Sequence, residues 1–71
     1  MTQNPVTVAK READSLPDSK RLWLREGLKE FIPLPRLALM FNVPTVAVRS
    51  VLIADRDEFD NDVLDNYKVE L

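Results

Sequence analysis

The side chains of this sequence that could do chemistry are carboxylates, guanidiniums, amines and hydroxyls, because it holds neither histidine nor cysteine. Ser15, Ser19 and Ser50 therefore have no imidazole to take their protons, which excludes a serine triad. A thiolate metal site and a disulfide framework are excluded on the same count. Asp55, Asp57, Asp60 and Asp62 have the density of a calcium loop. The glycine at the sixth position and the bidentate Glu at the twelfth are missing, so a calcium loop is not expected. The single glycine of the chain leaves no phosphate-cradling loop. Paired carboxylates could still do acid–base work, but a domain this small has little room for a dry pocket. The expectation is a protein that is not an enzyme, with no cofactor, no metal and no small-molecule substrate.

What remains is charge, and it is unevenly placed. Net charge is −2, yet residues 1–50 carry eight basic side chains against five acidic ones, whereas residues 51–71 carry two against seven. Arg21, Arg25 and Lys29 recur every four residues, a spacing that puts them on one helix face. Asp18 can relieve Arg21 and Glu26 can relieve Lys29, but Arg25 has no acid three or four residues away. Such a stripe suits phosphate or an acidic protein surface; a solvated helix face is the plainer alternative. The pI near 5.0 argues against simple DNA binding by the chain as a whole.

These side chains need helices to position them. Seventy-one residues make one domain at most, burying about 60% of the surface the unfolded chain exposes. Residues 1–14 read as a flexible arm, in which Asn4-Pro5 could start a short helix. Ser15-Leu16-Pro17-Asp18 resembles a capping arrangement for a first firm helix, in which Leu24, Leu28 and Phe31 recur at helical spacing and Leu22 and Trp23 widen the apolar face. Pro33 and Pro35 end it. A second helix is expected over about 35–41, a turn at Asn42-Val43-Pro44, and a third helix from Thr45 to about Ala54. The fold class is thus all-α: a three-helix domain over residues 15–57, with the arm before it and an acidic tail, 58–71, after it.

Residues 37–52, Leu37-Ala38-Leu39-Met40-Phe41-Asn42-Val43-Pro44-Thr45-Val46-Ala47-Val48-Arg49-Ser50-Val51-Leu52, resemble the helix-turn-helix of small phage and plasmid transcription regulators. The match has physical content. Ala38 is small where the two helices must cross, and Asn42 tolerates the positive φ the turn requires. Leu37, Phe41, Val43, Val48 and Val51 would lock the pair together, within a core that also includes Leu24, Leu28, Phe31, Ala38 and Leu52.

The resemblance implies a DNA-binding transcription regulator whose second motif helix enters the major groove. Arg49, Thr45, Val46 and Ser50 would face the bases, with Pro44 beside them, and Arg25, Arg21 and Arg36 would contact phosphate. The alternative partner is a host protein of the transcription machinery, such as RNA polymerase. Pro44 favours it by standing where such motifs usually carry a capping Ser or Thr, as does the scarcity of long polar side chains around Val46. The tail offers a third occupant: Phe59, Val63, Leu64 and Tyr67 could fold back over Val46 and Ile53, with their acids near Arg49. No apolar run reaches 18 residues and no signal-peptide pattern opens the chain, so a cytoplasmic protein without a membrane partner is expected.

Overall fold

The computed structural model describes residues 5–69. Five α-helices run in the order α1 (Pro5–Asp14), α2 (Asp18–Lys29), α3 (Leu34–Phe41), α4 (Thr45–Ala54) and α5 (Asn61–Asn66), with one 3-10 turn (Arg56–Glu58) between α4 and α5. No strand occurs among the described residues.

Prolines set the helix starts. Pro17, Pro33 and Pro44 precede α2, α3 and α4 with φ between −57° and −64° and ψ between 143° and 146°. Their carbonyls accept the first helical bonds, from the amides of Arg21, Leu37 and Val48. Pro35 sits inside the first turn of α3, where its missing N–H costs nothing. The Ser15 cap expected for α2 does not form. Ser15 Oγ instead donates to the carbonyl of Glu12 at 2.7 Å, closing the end of α1.

Left-handed residues set three helix ends: Phe31 (φ 61°), Asn42 (φ 54°) and Lys68 (φ 56°). Behind each, an amide reaches back five residues, Ile32 to Gly27, Val43 to Ala38 and Val69 to Leu64, which is the Schellman closure. Glycine ordinarily takes such positions, because it has no Cβ to crowd the carbonyl. The one glycine here is used elsewhere. A Cβ on Gly27 would overlap Cδ2 of Leu37, so Gly27 lets α3 press its buried leucine against α2.

At the centre lies α4, apolar nearly all round and buried as such helices are. Ala47, Val48, Ser50, Val51 and Leu52 are buried on it, and α1, α2 and α3 all pack against it. Leu24 and Leu28 of α2 and Leu37 and Ala38 of α3 complete the inner core. Phe41 and Val43 pack at its edge.

The segments outside the expected three-helix domain are not appendages. Residues 5–14, read as a flexible arm, form α1, whose Ala9 and Ala13 are buried. The Asn4 cap lies outside the described residues. The acidic segment after residue 57 places Phe59 and Val63 in the core, with Leu64, Tyr67 and Val69 packed against it. Tyr67 Oη donates to the carbonyl of Ile32 at 2.6 Å and lies 3.3 Å from that of Leu28, fastening α5 to the end of α2. Burial pushes the Tyr67 phenol pKa up. One core assignment fails: Phe31 is 49% exposed, because its left-handed backbone turns the chain at the end of α2.

Candidate functional site

The chain bends by 110° between α3 and α4, across the three-residue turn Asn42-Val43-Pro44. With three helices packed on it, α4 keeps only a narrow open stripe. Thr45, Val46 and Arg49 are exposed on that stripe, Val46 at 66%. Arg49 makes no ion pair among the described residues, and neither does the exposed Arg36 near the start of α3. Residues 31–54 contain both of these arginines and no carboxylate. The segment that holds α3 and α4 therefore carries only positive formal charge on an acidic protein.

Two expectations for this face change. Ser50 does not face outward; it is 6% exposed, one helical step past Arg49 and on the packed side of α4. The tail does not cover the stripe either, since Tyr67 is held at the α2–α3 connection and Val46 stays open.

Both α2 arginines meet acids inside the fold. Arg21 Nε and Nη2 grip Asp55 Oδ2 and Oδ1 at 2.9 and 2.7 Å, and Nη1 meets Asp14 Oδ1 at 2.7 Å. This fork ties the ends of α1 and α4 to the first turn of α2. Hydrogen bonds to Asp55 and then Asp14 hold the Arg21 guanidinium firmly in its charged form. Arg25, with no acid three or four residues away on α2, approaches Asp55 at 3.8 Å, and Lys29 approaches Glu26 at 3.9 Å. The acid that engages Arg21 and Arg25 lies 34 residues from the first of them, beyond any i,i+4 rule. Asp55 is the residue that local spacing missed.

A second feature was not foreseen. Trp23, Gly27, Ile32, Leu37, Met40 and Phe41 line an open groove of about 270 Å3 between α2 and α3, rimmed by Glu26 and Glu30. Trp23 and Phe41 form one wall, their ring centroids 6.0 Å apart and tilted by 33°. The 3.6-residue period flags Trp23 as apolar surface of α2, and only its 53% exposure separates contact from core.

Among the described residues no group of three or more carboxylates is placed to hold a metal, and no single helix is long and apolar enough to cross a membrane. The α3–α4 pair is apolar over its joint length but bent by 110°, and half of the residues of α4 are buried among the other helices. No protein-family model, curated protein or solved structure matches the chain.

Proposed function

We propose that α3 and α4 form a helix-turn-helix unit and that the protein is a small transcription regulator, acting by binding duplex DNA rather than by catalysis. The observation that carries this reading is the 110° bend at a turn closed by left-handed Asn42. That angle lies within the range such units use. It leaves Thr45, Val46 and Arg49 open at the start of α4, the end that enters the major groove. Arg49 is the base-reading residue, by bidentate bonding to guanine; Val46 is suited to a thymine methyl; Arg36 contacts phosphate. Arg21 and Arg25 leave the phosphate-binding set, because Asp55 engages both.

With two free arginines on the face, electrostatic affinity is modest and strongly screened. Binding to short duplexes should fall with salt at a log–log slope of about −2 if both meet phosphate, and about −1 if Arg49 reads a base. Arg36→Ala should reduce the slope by about one unit, whereas Arg49→Ala should level the preference among sequences. Mobility-shift titrations over a randomised duplex pool at low salt test this. Absence of retardation for every sequence would overturn DNA binding. The reading that then stands is a protein-binding regulator of the transcription machinery, which the net charge of −2 and the engaged α2 arginines favour.

A further inference from the structure

The groove between α2 and α3 lies outside the stripe assigned to DNA, and none of its lining residues belongs to that stripe. Its walls and floor are Trp23, Ile32, Leu37, Met40 and Phe41, and both of its charged groups, Glu26 and Glu30, are acids. Trp23 and Met40, which line the groove together with the buried Leu37, are each more than half exposed. At about 270 Å3 the groove is smaller than an ordinary small-molecule pocket, about 300–1,000 Å3, and is open along one side. It suits one or two apolar side chains delivered by a larger body.

We propose that this groove docks an amphipathic helix of a partner protein, with apolar anchors flanked by Lys or Arg. The charge of the rim selects the partner. Glu26 and Glu30 sit in the last turn and at the cap of α2, where the helix dipole disfavours carboxylates. Lys29 offsets Glu26 only through a contact of 3.9 Å, and Glu30 makes no ion pair among the described residues. A cation from outside satisfies both. A second copy of this chain, seated groove to groove, would instead set acid rim against acid rim. The anchors would enter between Trp23 and Met40, following the helix-in-groove mode of recognition. The regulator would then hold a protein on one face while α4 remains free for its own target.

The chain's single tryptophan lies in the groove, so its emission reads occupancy directly. The probe is a synthetic helical peptide of about four turns, with leucines at i, i+3, i+4 and i+7 flanked by lysines. Its twin carries glutamates in place of the lysines. The lysine peptide should bind the full chain and shift Trp23 emission to the blue. The glutamate peptide should do neither. Glu26→Gln with Glu30→Gln should weaken the lysine peptide about three- to ten-fold while leaving the fold and any DNA binding unchanged. Met40→Lys should abolish binding. Equal affinity for the two peptides, unchanged affinity in the double Gln variant, or no emission shift would overturn the proposal. So would a blue shift produced by protein concentration alone together with dimer formation, which would make the occupant a second copy.

Discussion

Replacing Arg21 by Met keeps the aliphatic stem and removes every donor of the fork. The Asp55 side chain is 10% exposed and the Arg21 side chain 22%, so the pair is only partly screened. Deleting a hydrogen bond to a charged group costs about 1.5–3 kcal/mol, and stranding a buried carboxylate costs more. Two factors reduce this: water reaches part of the guanidinium, and Arg25 Nη1, already 3.8 Å from Asp55, can move in. The Asp14 contact adds little, because that carboxylate is 70% exposed. The expected loss is about 2–3 kcal/mol. A domain of this length has a total of roughly 4–10 kcal/mol to lose. Each kcal/mol moves the melting temperature of so small a domain by about 4–8 °C, so Arg21→Met should melt about 10–20 °C lower. Thermal and urea unfolding followed by circular dichroism measure it. Arg21→Met combined with Asp55→Asn should cost less than the two single changes together, with a coupling on the order of 1–2 kcal/mol. A variant melting within about 3 °C of wild type would refute the fork as a structural tie and return Arg21 to the candidate contact surface.

Four further outcomes follow from the packing. Ala38→Leu forces extra atoms into the buried α3 position and should cost roughly 1–3 kcal/mol; an unchanged melting temperature would break the close α3–α4 packing assumed for the helix-turn-helix. Phe59→Ala should cost about 3 kcal/mol or more, and deletion of 58–71 should unfold most of the population, whereas a truncated chain of wild-type stability would show the acidic segment to be a mere appendage. Tyr67→Phe should cost about 1 kcal/mol at neutral pH by removing the bond to Ile32. Because the folded phenol pKa lies above the ordinary value of about 10, that contribution is complete below pH 10. It is lost as pH rises through the folded value, because a phenolate cannot donate. Stability curves of wild type and variant that coincide from neutral pH up to pH 11 would show the bond to contribute nothing.

What the sequence determined by itself is local. The limits of α4, the left-handed Asn42 and the break around Pro33 follow from backbone chemistry within a few residues. The apolar spacing of Leu24, Leu28, Val48, Val51 and Leu52 marks core positions because their side chains are large enough to carry a periodic signal. Tertiary structure decided the rest. Ala9 and Ala13 add too little apolar weight for a helix period to stand out, yet their smallness suits α1 to lie close on α4. Phe31 fits the core period of α2, but one left-handed residue at the helix end carries it to the surface. Ser50 looks like surface chemistry until three other helices close around α4. The arginines make the point most sharply. Arg21, Arg25, Arg36 and Arg49 are alike in the sequence, and which of them are free depends on where the chain carries Asp55. Helix formation is set by neighbours within about four residues, whereas desolvation and ion pairing depend on groups that only the folded chain brings together.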